Sequence, residues 1–170
     1  KFCEKISELG KYLEDEGMPL AYHHHMGTVI ETQKDTERLI ENTHESVKLT
    51  LDTGHMLFAK GDSKSILQNY HERILHVHCK DIRKQVLEKS LKEDLSFRGA
   101  FLEGAFTVPG DGCIDYQPLF NVLKNNNYSG WLVVEAEQDP AKANPLEYAK
   151  IGYNYLTDTL KKSEIEIYKN

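Results

Sequence analysis

The stretch Val47 to His55, VKLTLDTGH, constrains the fold more than any other. Val47, Leu49 and Leu51 share one face of an extended chain, and Lys48, Thr50 and Asp52 share the other. It reads as a buried strand whose last inward residue is a carboxylate, followed by a polar turn of Thr53, Gly54 and His55. Three other stretches repeat the design: PLAYHHH from Pro19 to His25, ILHVHCKD from Ile74 to Asp81, and WLVVEAE from Trp131 to Glu137. Each ends in charged or imidazole side chains. In the third, Leu75, Val77 and Cys79 share one face while His76, His78 and Lys80 share the other.

Helical patterns separate these strands. Residues 1–16 place Phe2, Ile6, Leu9 and Leu13 at helical spacing, and Gly17 closes the run. A helix is expected from Asp35 to about Glu45, and a short one after Ser63, a plausible N-cap. Residues 84–95 are helical and polar, and Gly99 to Gly112 reads as a long functional loop ending in VPGDG. Asp115 is placed to cap a helix over 116–125 with Pro118 in its first turn, and Asn144–Pro145 opens a last long helix. Strict alternation of strand and helix predicts an α/β fold of βα units around a parallel sheet with right-handed crossovers.

Four such units are half of a (β/α)8 barrel, which typically needs about 250 residues; this chain has 170. The expectation is a single domain over 1–170, the C-terminal part of a parallel (β/α)8 TIM-barrel-type protein, since a half-barrel exposes two sheet edges. A missing N-terminal half or a second copy would cover them. The net charge of −6 argues against nucleic acid or an acidic membrane as a bulk electrostatic partner. No apolar run approaches the ~20 residues of a spanning helix. Cys3, Cys79 and Cys113 are odd in number and widely spaced, which fits reduced thiols in a cytoplasmic protein.

In parallel barrels chemistry gathers at the C-terminal ends of strands. Those ends here hold His23, His24 and His25; Asp52 and His55; His78, Lys80 and Asp81; Glu135 and Glu137. A carboxylate, an imidazole and a carboxylate on three strands make a mixed N/O site, suited to Mn²⁺, Co²⁺, Fe²⁺ or Zn²⁺ better than to Ca²⁺. Each residue also has a plain structural role open to it. Asp52 could cap the following turn, His78 could be a hydrogen-bonded core histidine, and Glu137 could be solvated at the rim. Lys80 could pair with Asp52 or Asp81, and VPGDG could be only a tight turn. Glu135 is harder to explain this way, because a carboxylate following Val133 and Val134 needs a partner.

AYHHHMGT, LDTGHM, HVHCKDIR, FTVPGDGCIDY and GWLVVEAEQDP together resemble the inosose dehydratases, members of the xylose isomerase-like TIM-barrel group. The resemblance runs over residues 18 to 160 or so, and implies that these strands are the last four of eight. It implies Asp52, His78 and Glu135 as metal ligands. His23 falls where the group has a glutamate, and so becomes the candidate fourth ligand. His55 matches a position that contacts sugar hydroxyls; His24, His25, Arg83 and Asp111 are further candidates for holding substrate. The implied reaction is loss of water from 2-keto-myo-inositol (scyllo-inosose) through a metal-stabilised enediolate. Glu135 would be the base, and Lys80 or a histidine of the HHH run the acid. Mn²⁺ or Co²⁺ is the implied metal, and glutathione is associated with the group. The alternatives are a sugar isomerase or epimerase of the same group, and a non-catalytic metal- or sugar-binding fragment.

Overall fold

The computed structural model describes residues 1–168. Eight α-helices, six strands and one turn of 3-10 helix alternate along them: α1 (Phe2–Asp15), β1 (Leu20–His23), α2 (Gln33–Glu41), β2 (Val47–Asp52), α3 (Thr53–Phe58), α4 (Ser63–Tyr70), the 3-10 turn (His71–Arg73), β3 (Ile74–Cys79), β4 (Asp81–Ile82), α5 (Lys84–Lys92), α6 (Phe97–Leu102), β5 (Phe106–Thr107), α7 (Gln117–Asn125), β6 (Trp131–Val134) and α8 (Pro145–Lys162). The main sheet has the order β1-β2-β3-β6, and a separate two-stranded sheet joins β4 to β5. β1 runs parallel to β2, with Leu20 opposite Val47 and His23 opposite Thr50. All four expected main strands form. Among the described residues no helix is long and apolar enough to cross a membrane. Cys3, Cys79 and Cys113 are free thiols.

Two compact units divide the chain, residues 1–77 with 129–132, and residues 78–128 with 133–170. In the first, Val47, Leu49 and Leu51 of β2 are buried together with Leu39, Ile40, Ile66 and Leu67 from α2 and α4. Helix α1 approaches β2 so closely that a Cβ on Gly10 would touch Val47 Cγ2 and Ser46 Oγ. Arg73 closes the base of this unit. Its guanidinium donates to the carbonyls of Ile40, His44 and Val47 and to Thr43 Oγ1, at 2.6–3.1 Å. These carbonyls lie where α2 ends and β2 begins, and a five-donor fork is the side chain that can satisfy several at once.

The second unit holds the ends of β3 and β6 with β4, β5, α5, α6, α7 and α8. Helix α8 packs at Gly152, where a Cβ would collide with Val134 Cγ1 of β6. Phe106, Tyr116 and Phe120 are buried, and Tyr116 Oη donates to the Lys80 carbonyl at 3.0 Å.

Several local expectations are corrected. Helix α4 is capped by Asp62, which accepts from Lys64 N, rather than by Ser63. Helix α2 starts two residues before Asp35, because Thr32 and Asp35 form a capping box. The polar turn after β2 is the helix α3. The long loop 99–112 contains part of α6 and all of β5. The third strand ends at Cys79, and Asp81–Ile82 pairs instead with Phe106–Thr107 in antiparallel register. The fourth ends at Val134, so Glu135 and Glu137 lie beyond it. Asp115 still contributes a cap, accepting from Gln117 N at 3.0 Å.

Candidate metal and acid–base site

In the first unit the site is built on Asp52. It ends β2 and caps α3, as the structural reading of this residue expects. Oδ1 accepts the His55 backbone N–H at 2.8 Å, and Oδ2 lies 3.3 Å from His23 Nε2. The Asp52 backbone N–H donates to His24 Nε2 at 3.1 Å. His24 is fully buried. Burial drives its pKa down to about 3, against the smaller upward pull of the Asp52 charge. The ring is therefore neutral, and since Nε2 accepts, its proton sits on Nδ1. His25 Nδ1 is 2.7 Å from the Met26 carbonyl, and its ring lies 3.7 Å from that of His55 between centroids. One ligand atom each from His23, Asp52 and His55 falls within a 4.8 Å circle of mutual distances.

In the second unit His78 Nδ1 lies 2.6 Å from Glu135 Oε2. Lys80 is fully buried; its Nζ is 3.0 Å from Glu137 Oε2, 3.4 Å from Glu135 Oε2 and 5.7 Å from the Phe106 ring centre. Asp52 and Asp81 were partners open to Lys80, and within this unit it meets the carboxylates of Glu135 and Glu137. Asp81 Oδ1 instead accepts three backbone N–H groups, from Ile82, Cys113 and Ile114, at 2.7–2.9 Å. That bonding ties the residues just after VPGDG to β4.

The glycines of VPGDG have separate reasons to be glycine. Gly110 has φ +90°, a left-handed conformation that L side chains resist. Gly112 has no room for a Cβ, which would collide with the Asp81 carboxylate. Because that carboxylate is buried and anchored, Gly112→Ala is expected to lower stability by about 2–3 kcal/mol; an unchanged thermal midpoint would refute the close approach.

Arg83 NH2 meets Asp111 Oδ2 at 2.6 Å, NH1 donates to the Gly104 carbonyl at 2.8 Å, and NH2 also reaches Tyr148 Oη at 3.3 Å. Asp111 accepts in addition from Thr107 Oγ1. Beside Arg83, a cavity of about 180 Å³ is lined by Gly104, Gln138, Lys142 and Tyr148 among others. The structure thus gathers His23, Asp52 and His55 with His25, sets His24 behind Asp52, joins His78 to Glu135 and Lys80, and pairs Arg83 with Asp111. Sequence reading missed Thr107, Gln138 and Tyr148. Tyr148 looked like one more apolar position on α8, and Thr107 lay in what read as a loop.

A family model described as xylose isomerase-like TIM barrel matches residues 1–159. An inosose dehydratase of Clostridium beijerinckii is 51% identical over 92% of this chain and 53% of its own length. One from Lactiplantibacillus plantarum is 46% identical over 93% of this chain and 53% of its own. The rhizopine catabolism protein MocC of Rhizobium meliloti is 48% identical over 91% and 48%. The chain spans about half the length of the curated relatives it matches. A solved structure of IOLI protein with a zinc atom superposes with TM-score 0.68 at 21% identity, over 93% of this chain and 54% of that one. A probable 3-DHS dehydratase of Bacillus anthracis gives TM-score 0.69 at 18%, over 92% and 55%.

Proposed function

Since the chain belongs to the xylose isomerase-like TIM-barrel family, we propose that it carries part of a metal-dependent hydro-lyase that removes water from 2-keto-myo-inositol. The reaction class rests chiefly on one observation: a fully buried Lys80 ammonium beside the carboxylates of Glu135 and Glu137, with His78 against Glu135. The substrate rests on the 46–51% identity to inosose dehydratases. The proposal treats residues 1–170 as one domain. It takes the rest of the barrel to come from an N-terminal half or from a second copy of the chain. A reducing cytoplasmic compartment suits its free thiols. Glutathione enters this reading by family resemblance alone.

Asp52, His78 and Glu135, with His23 as fourth, are proposed to hold the metal, Mn²⁺ or Co²⁺. The donor geometry within each unit fits such an ion. Two ligand atoms each about 2.1 Å from one ion lie about 3.0–3.4 Å apart; His23 Nε2 and Asp52 Oδ2 are 3.3 Å apart. His78 Nδ1 and Glu135 Oε2, at 2.6 Å, need to separate by less than an ångström. The ion would polarise the substrate ketone and the neighbouring hydroxyl as a Lewis acid.

The chain's own groups then handle protons. Glu135 takes the proton from the carbon beside the ketone, with the Lys80 ammonium 3.4 Å from its Oε2. Lys80 donates to the departing β-hydroxyl, with Glu137 fixing its Nζ. His25, His55, Arg83 and Asp111 hold hydroxyls; His24, expected beside them, is fully buried and instead accepts from the Asp52 backbone N–H. In the complete protein, Glu135→Gln is expected to lower turnover by about 10²–10⁴-fold. The assay follows the absorbing enolised dione. Turnover intact with metal still bound would sink the base assignment. Ketose interconversion without water loss would instead favour an isomerase or epimerase.

A further inference from the structure

We infer that the cavity beside Arg83 is a binding pocket for a small monocarboxylate with an apolar body, a ligand separate from the neutral cyclitol of the preceding reading. It shares Arg83 with that reading and needs none of its chemistry. The cavity, about 180 Å³, lies wholly within the second unit. That is below the roughly 300–1,000 Å³ of drug-sized sites, so it suits a small molecule.

The polar groups of its wall are unevenly used. The carboxylates are engaged. Glu103 Oε2 meets Lys89 Nζ at 2.6 Å, and Asp139 Oδ1 accepts the Ala141 N–H at 3.0 Å. The donors are not. Lys142 Nζ reaches the Leu102 carbonyl at 3.0 Å and forms no ion pair among the described residues. Tyr148 Oη accepts from Arg83 NH2 at 3.3 Å, which leaves its own proton without an acceptor among them. Gln138 gives one amide N–H to Thr107 Oγ1 at 3.3 Å, and its second is open. An ammonium, a phenol and an amide thus bring unused donors to one cavity.

Such a wall selects a ligand that accepts without donating, and an ionised carboxylate is that group. Glu103 and Asp139 line the same cavity, so a doubly charged phosphate would meet like charge there. Phe101, Leu102 and Ala143 add apolar wall, which favours an organic body over a bare ion. The Arg83 guanidinium is already fixed, with NH1 on the Gly104 carbonyl at 2.8 Å and its carbon 5.8 Å from the Tyr148 ring centre. Little ordering is then left to the binding step.

The experiment titrates benzoate into the full chain and follows the amides by proton–nitrogen NMR. Saturable shifts centred on Gly104 and Ala143 are expected, with Kd on the order of 1 mM. Benzamide, of the same shape without the charge, should bind about tenfold more weakly. Lys142→Gln should weaken benzoate by about tenfold, and Tyr148→Phe by about fivefold. Lys142 is exposed, so its replacement spares the fold, which the thermal midpoint checks. No saturable shift, equal affinity for benzoate and benzamide, or unchanged affinity in Lys142→Gln overturns the inference. Inorganic phosphate binding more tightly than benzoate does so as well. If myo-inositol displaces benzoate, the cavity is part of the cyclitol pocket, and the inference falls while the dehydratase reading stands. Benzoate binding is read without turnover, so a failed dehydratase assay leaves this inference untouched.

Discussion

Lys80→Met is expected to destabilise the folded chain by about 3 kcal/mol, the lower end of the range for removing one partner of a buried ion pair. The ammonium is fully enclosed, whereas the side chains of Glu135 and Glu137 are 33% and 26% exposed, so water retains part of their charge. Methionine keeps most of the methylene volume, so no large cavity forms and the loss reports charge. Two carboxylates gathered around one cation would then face each other without it. Urea unfolding measures the difference. Adding Glu135→Gln and Glu137→Gln to Lys80→Met should restore most of the stability while leaving the protein inactive. A neutral single variant would show that the ammonium does not hold this cluster together. In the complete protein Lys80→Met should also lower turnover by about 10²-fold or more, through loss of the proposed acid.

The second large effect is at Asp81. Asp81→Ala leaves three backbone N–H groups without their acceptor, at about 1 kcal/mol or more each. The loop holding Asp111 should then detach, seen as fast amide exchange at Cys113 and Ile114. Asp81→Asn separates charge from shape. Burial holds the Asp81 carboxyl above its ordinary value of 3.8, outweighing the downward pull of the backbone N–H groups. A raised folded-state pKa means that the folded chain binds this proton more tightly than the unfolded one. The stability it contributes is whole below pH 3.8 and is lost as pH rises through the folded value. Asparagine has no such loss. The stability of Asp81→Asn relative to the parent should therefore climb from about pH 4 toward neutrality. A difference that is flat or falling across that window would contradict the buried carboxylate.

The main strands were legible because apolar and polar residues alternate along them, as Val47, Leu49 and Leu51 do against Lys48, Thr50 and Asp52. Titratable residues on the polar face, or just past an apolar run, stand out. Asp52, His78 and Glu135 became site candidates in this way, and the order of strands and helices pointed to the barrel-type fold. Ser63 and the loop 99–112 were misread for a shared reason. Cap choice and two-residue strand pairing depend on small free-energy differences that neighbouring backbone decides. Asp62 caps α4 by accepting from Lys64 N, and Thr32 caps α2 by accepting from Asp35 N.

The sequence by itself determined the βα order, the buried strands and the set of titratable groups near their ends. A chain's periodicity alone dictates these, since each face must be either apolar or solvated. Only the tertiary structure decided the partners. Lys80 meets Glu137 and Glu135. Asp81 Oδ1 accepts from the backbone N–H groups of Cys113 and Ile114, Arg83 meets Asp111 and Tyr148, and Arg73 gathers the carbonyls between α2 and β2. These pairings join residues 26 to 65 positions apart. Spacing cannot report them, because a buried charge takes whichever opposite charge or backbone dipole the folded chain brings within reach.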